Sequence, residues 1–256
     1  MLQKSSIKLL LLFVFIFSFY ITGGLIFTKG FLLKRDVIAE NSSCRVDFAR
    51  YWDGESHGAE GCWLHRRFNK AVIIVIDALR FDFMAPSTVK NKPFSNVMKT
   101  TQNVLKYEAQ NSRLYKFVAD PPTTTLQRLK GLTTGSLPTF VDAGANFASS
   151  EISEDNVIQQ LYRSGKKLVF LGDDTWKSLF PNQFLRSYPF PSFNVKDLHT
   201  VDNGILDNIY SELQRDDWDV LIAHFLGVDH CGHRFGPNHP AMEEKLTEMD
   251  NMIKFV

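Results

Sequence analysis

One run of six residues, Ala71-Val72-Ile73-Ile74-Val75-Ile76, constrains the fold more than anything else in this chain. It is continuous rather than alternating, and rich in β-branched side chains, so a strand formed here demands burial on both faces. A parallel sheet covered by helices supplies that environment. The pattern returns at Lys167-Leu168-Val169-Phe170-Leu171 and at Asp219-Val220-Leu221-Ile222-Ala223-His224-Phe225. Helical spacing separates the runs. Val157 and Leu161 share one face behind acidic Glu154 and Asp155, and Ile205, Ile209 and Leu213 share another. From Pro240 onward, Met242, Leu246, Met249 and Ile253 form a last apolar stripe. Strands alternating with helices predict an α/β domain with a mostly parallel sheet and flanking helices.

A second apolar stretch is of a different kind. Ile7 to Phe27 reads IKLLLLFVFIFSFYITGGLIF, with Lys8 as its one charge. About twenty helical residues at roughly 1.5 Å each span the ~30 Å hydrocarbon core of a bilayer. A cleavable signal peptide has a shorter apolar centre and a small-residue cleavage site. The expectation is an uncleaved transmembrane anchor over residues 1–28, a polar neck over 29–69 and a globular domain over 70–256. Orientation is open at this level. Lys4 and Lys8 precede the span, while Lys29, Lys34 and Arg35 follow it, so the positive-inside rule opposes a lumenal domain. Against that, Asn41-Ser42-Ser43 is an N-glycosylation sequon. Cys44 and Cys62 are close enough in sequence to pair, which suits an oxidising compartment and leaves Cys231 single.

With 44% hydrophobic and 22% charged residues, a packed core is available and wholesale disorder is not expected. A net charge of +1 gives no long-range field, so nucleic acid is not an expected partner.

Active sites of open α/β sheets lie beyond the carboxyl ends of the strands. Asp77 follows the first run, Asp173 and Asp174 follow the second across Gly172, and Asp229 sits just past the third. Any one of these is as readily a turn residue; several at one edge point to a cation. Asp229 and His233 are four apart, and a carboxylate with an imidazole suits zinc. Gly232 and Gly236 are read as tight turns that aim both at one point, with His230 and Cys231 as further possible ligands directed elsewhere. In Asp120-Pro121-Pro122-Thr123-Thr124-Thr125-Leu126-Gln127-Arg128, two prolines impose an extended approach and the threonines cap a helix toward Leu132. A hydroxyl at a helix N-terminus is either a plain cap or the attacking oxygen of a phosphoryl transfer, where free N–H groups favour negative charge. Threonine needs a base or a metal to ionise it, so the threonines and the carboxylates make chemical sense together.

These segments resemble the alkaline phosphatase superfamily, in its phosphodiesterase-like branch. Asp77 matches the metal-ligating Asp after the first strand, Pro122-Thr123-Thr124-Thr125 the nucleophile motif, and Thr134-Gly135-Ser136-Leu137-Pro138 the stretch that follows. The resemblance implies Thr125 as nucleophile and metal ligand, Asn146 as the residue holding a phosphoryl oxygen, and Asp229 with His233 as ligands of a second metal. The wording of ALRFDF, DPPTTTLQRLKGLTTGSLPTF, GDDTW and HFLGVDHCGHRFGP is similar to the ethanolamine phosphate transferases of GPI-anchor synthesis.

That likeness implies an alkaline-phosphatase-like catalytic domain in the lumen of the endoplasmic reticulum, anchored in its membrane. It implies two zinc ions, phosphatidylethanolamine as donor, the GPI-anchor precursor glycolipid as acceptor at its third mannose, and a small hydrophobic membrane subunit as a stabilising partner. The superfamily's later Asp-His pair and further His have no counterpart: His239 is the last histidine, and Asp250 is followed by Asn251. The expectation is a fragment truncated at its C-terminus, with part of the ligand set and no activity of its own. A phosphodiesterase that uses water as acceptor, and a non-catalytic lumenal binding module, are the alternatives. Asp173 and Asp174 receive a structural or substrate-loop role.

Overall fold

Apolar runs of the kind described pair side by side in the computed structural model, which describes residues 2–31, 38–43, 68–88, 92–137 and 151–256. Strands β1 (Ala71–Ile76), β2 (Leu168–Asp173), β3 (Phe184–Phe190) and β4 (Val220–Phe225) form one sheet in the order β1-β4-β2-β3, with every pairing parallel. Among the described residues the helices are α1 (Leu2–Gly30), α2 (Phe81–Met84), α3 (Lys99–Tyr107), α4 (Thr125–Thr134), α5 (Val157–Arg163), α6 (Thr175–Leu179), α7 (Thr200–Leu213), α8 (Gly227–Phe235) and α9 (Pro240–Phe255).

Central strands β2 and β4 are buried at every position, as their mostly apolar sequences require, and they carry the buried Asp173 and His224 with them. Register aligns their ends: Ile76 stands beside Phe225, and Val75 and Gly172 both stand beside His224. The residues that leave the strands therefore emerge at one edge of the sheet. Ile205 and Ile209 of α7 pack on Val169, Leu171, Leu221 and Ala223, while Leu246, Met249 and Met252 of α9 close the same core. Each such buried aliphatic side chain contributes about 1.5–3 kcal/mol. The α9 stripe is the one its spacing predicts; Pro240 occupies its first turn, and the His239 side chain caps Ala241 N–H.

Strand β3 was not expected. Its sequence, FLRSYPF, mixes Arg186, Ser187 and Pro189 with aromatics and lacks period. An edge position tolerates that composition, because proline has no N–H to donate and an edge strand must pair on one side only.

The chain divides into two compact units. One comprises Met1–Val37 with Ala119–Ala148, the other Ile38–Val118 with Ser149–Val256. In the first, α1 is exposed along its described length and is long and apolar enough to cross a membrane. The sheet, its helices and the carboxylates lie in the second.

Candidate active site

Asp77 is held by its own backbone. Its N–H donates to the Phe225 carbonyl at 3.0 Å, extending the β1–β4 ladder by one residue, and its Oδ1 accepts the Ala78 N–H at 2.8 Å. Ala78 then turns the chain at φ 55°. A left-handed alanine costs about 1–2 kcal/mol, and such strain clusters at functional sites. The carboxylate is thereby fixed at the carboxyl edge of the sheet.

Asp229 and His233 reach that edge on α8. The glycine-turn reading is corrected here: residues 227–235 are helical, Gly232 lies within the helix, and only Gly236, at φ 77°, turns the chain as its C-cap. One helical turn places the two side chains on the same face, with His233 Nε2 3.5 Å from Asp229 Oδ2. Other groups seat the helix. Asp202 Oδ1 accepts the N–H groups of Leu226 and Gly227 at 3.0 and 3.1 Å, and Lys245 Nζ meets Asp202 Oδ2 at 3.1 Å. Gly227 admits no side chain, since a Cβ there would stand 2.0 Å from Asp202 Oδ2. Neither Asp202 nor Lys245 was legible as part of the site; a lysine on an apolar stripe was the only hint. His230 turns to the Asp197 carbonyl through Nδ1 at 2.6 Å, and Cys231 is fully buried with its thiol pushed up by burial.

Electrostatics distinguish Asp229. Burial raises its carboxyl above the ordinary value, the neighbouring Asp77 charge raises it further, and His233 only partly offsets this. Two carboxylates near one another at the edge of a parallel sheet hold negative charge that a cation settles, and with His233 they supply donors suited to zinc. Their chemistry fits a metal, although among the described residues no group of three or more His, Cys, Asp or Glu side chains forms a ready cage.

Thr125 belongs to the other unit. Thr124 is extended (φ −69°, ψ 149°) and caps α4 without a side-chain bond, so Thr125 is the first helical residue, among the N–H groups that lack intrahelical partners. Gly135 closes the helix in the left-handed region, its N–H on the Gly131 carbonyl. Asn146, Cys44 and Cys62 lie outside the described residues. Asn41 is exposed, its Oδ1 accepting from Arg163 at 3.2 Å; beside it, Ser42 N–H donates to Asp155 and its carbonyl accepts from Gln160. The Ser42 bond holds the Asp155 carboxyl below its usual range. Asp173 accepts the Thr175 N–H, and Asp174 accepts from Ser192 Oγ at 2.7 Å.

Residues 81–255 match the family model described as type I phosphodiesterase / nucleotide pyrophosphatase. The chain is 51% identical to the human protein "GPI ethanolamine phosphate transferase 3, catalytic subunit" over 99% of its own length and 24% of that protein's. It is 45% identical to GPI ethanolamine phosphate transferase 3 of Saccharomyces cerevisiae, again over 99% of the chain and 24% of the relative. The chain thus spans about a quarter of the length of these curated relatives. A structure of murine ectonucleotide pyrophosphatase / phosphodiesterase 5 aligns with a TM-score of 0.48 at 14% identity, over 73% of this chain and 51% of that one. With a family model matching residues 81–255, more than half of the chain and three of the four strands, the chain belongs to the type I phosphodiesterase / nucleotide pyrophosphatase family.

Proposed function

We propose that this chain carries the nucleophile and part of the metal site of a phosphoethanolamine transferase of GPI-anchor synthesis, with residues 1–28 as membrane anchor, 29–69 as neck and 70–256 as catalytic domain in the endoplasmic reticulum lumen. Similarity to the curated transferases along nearly the whole chain supports the reaction class. The observation that carries the reading is the Asp77–Asp229 pair, whose mutual charge and burial suit a bound cation.

In this reading Thr125 Oγ1 attacks the phosphorus of phosphatidylethanolamine, diacylglycerol leaves, and ethanolamine phosphate remains as a threonine ester. A mannose 6-hydroxyl of the GPI precursor, by resemblance the third mannose, then displaces it. Zinc ions, when bound, lower the pKa of an attacking hydroxyl and steady the charge on attacking and leaving oxygens. By resemblance, Asp77 and Thr125 would hold the first ion, and Asp229 and His233 the second. The N–H groups of the first turn of α4 face developing negative charge, and Asn146 holds a phosphoryl oxygen. Asn41 carries a glycan, Cys44 pairs with Cys62, and a small hydrophobic membrane subunit steadies the complete enzyme.

The test is rescue of cells that lack the third-mannose modification, read by mass spectrometry of the GPI glycan. The human relative should restore it, and the same protein with alanine at the threonine aligned with Thr125 should not. Retained transfer in that variant removes Thr125 as nucleophile. Release of free ethanolamine phosphate instead of transfer would favour a phosphodiesterase, the reaction named in the matched family model.

A further inference from the structure

The Gly172-Asp173-Asp174-Thr175-Trp176 stretch and His224 have no part in the proposed reaction, yet they meet in the core beside Asp77. Gly172, the last residue but one of β2, sits at φ 127°, and a Cβ there would stand 2.2 Å from the His224 carbonyl oxygen. Only glycine lets β2 run this close to β4. Asp173 then accepts the Thr175 N–H through Oδ1 at 2.8 Å, α6 opens, and Trp176 is laid against His224, both essentially without exposure.

Trp176 Nε1–H donates to His224 Nδ1 at 3.0 Å. An indole N–H only donates, so Nδ1 is the lone-pair nitrogen and the ring proton sits on Nε2. That nitrogen faces Asp77 Oδ2 at 3.7 Å. Asp173 Oδ2 stands 3.5 Å from Nδ1, beyond the usual hydrogen-bond distance of about 2.7–3.2 Å, and the indole occupies that nitrogen.

We infer that Trp176 and His224 form a positioning pair for Asp77: the indole fixes the imidazole tautomer, and the imidazole Nε2–H orients the carboxylate that meets the cation. The inference rests on Asp77 being a metal ligand, as proposed above. Asp77 has one oxygen on the Ala78 N–H; a shift of roughly half an ångström brings the other within hydrogen-bond distance of Nε2. Outer hydrogen bonds of this kind orient ligating carboxylates, and losing one typically costs about 10–100-fold in metal affinity or activity. The pair thus accounts for GDDTW and for a buried histidine in the middle of an apolar strand.

The test uses the whole 256-residue chain in detergent. Zinc affinity is measured by chelator competition, the His224 tautomer by side-chain nitrogen NMR, and metal-free melts confirm that each variant is folded. Trp176→Phe should lower zinc affinity about 10–100-fold and erase the single Nε2–H signature. His224→Gln, whose amide N–H stands near the place of Nε2–H, should stay within a few-fold of the parent, and His224→Leu should fall with Trp176→Phe. Asp173→Asn keeps the oxygen that caps Thr175 and should bind zinc like the parent. The inference is overturned by a proton on Nδ1, or by Trp176→Phe binding normally where Asp77→Asn does not. It is equally overturned if Asp173→Asn is as damaging as Asp77→Asn, which would make His224 a ligand backed by Asp173. If Asp77→Asn leaves zinc binding unchanged, or the chain takes up no zinc, the metal role of Asp77 is what has failed, and the positioning role falls with it.

Discussion

Two acidic sites flank α8, and they are settled in opposite ways. At the base of the helix, Asp202 is fully buried, accepts two backbone N–H groups and faces Lys245, itself buried and also bonded to Glu248 at 3.0 Å. One turn along, Asp229 is raised by burial and by the Asp77 charge. Asp202 is withdrawn from water fully and Asp229 in part, so burial alone does not mark a site. The kind of partner does: the first acid is neutralised by a cation of the chain itself, the second is set beside another acid. The first arrangement serves the fold, and the second holds unfavourable charge that the proposed metal would offset.

Breaking the first site should have the largest effect. Lys245→Met leaves the Asp202 charge buried with its ammonium partner gone, and should cost about 3–5 kcal/mol in chemical denaturation. Gly227→Ala drives a methyl into Asp202 and Lys245 and should cost about 1–3 kcal/mol in the same assay. The second site should respond with the opposite sign. Asp229→Asn removes one of two repelling charges, so the metal-free chain should gain on the order of 1 kcal/mol while losing its zinc response. A metal-free loss of stability comparable to that of Lys245→Met would erase the distinction between the sites.

The smallest effect is in pH. A carboxyl whose folded value is raised contributes stability that is complete below its unfolded value of 3.8 and is lost as pH rises through the raised one. Melts of the metal-free chain should therefore fall relative to Asp229→Asn as pH climbs from the ordinary aspartate range, and zinc should abolish the difference.

The sheet was legible because its central strands carry long apolar runs, which few other structures accommodate, and α7 and α9 because their stripes keep helical period. Strand β3 was not, since an edge needs no such pattern. The pairing of Asp229 with His233 was legible from spacing, but its cause was misread: residues 227–235 form a helix, and the N–H groups at its start are met by Asp202, a group 24 residues or more away in sequence. Trp176 and His224, 48 residues apart, leave no local trace of their contact either. Long-range polar pairs of this sort are written in the packing, not in any window of the chain.

Strand β1 has a consequence of its own for anyone handling the protein. Both outer strands of this sheet pair on one side only among the described residues, but they are not alike: β3 is blunted by Pro189 and Arg186, whereas β1 is a row of valines and isoleucines with Ile73 37% exposed. Such a margin is adhesive, since its backbone offers a ready template to any extended segment that drifts past. Concentration will be its enemy. Association of the chain with itself should begin along that seam, and a single lysine in place of Ile73 should quieten it more than any change elsewhere on the sheet.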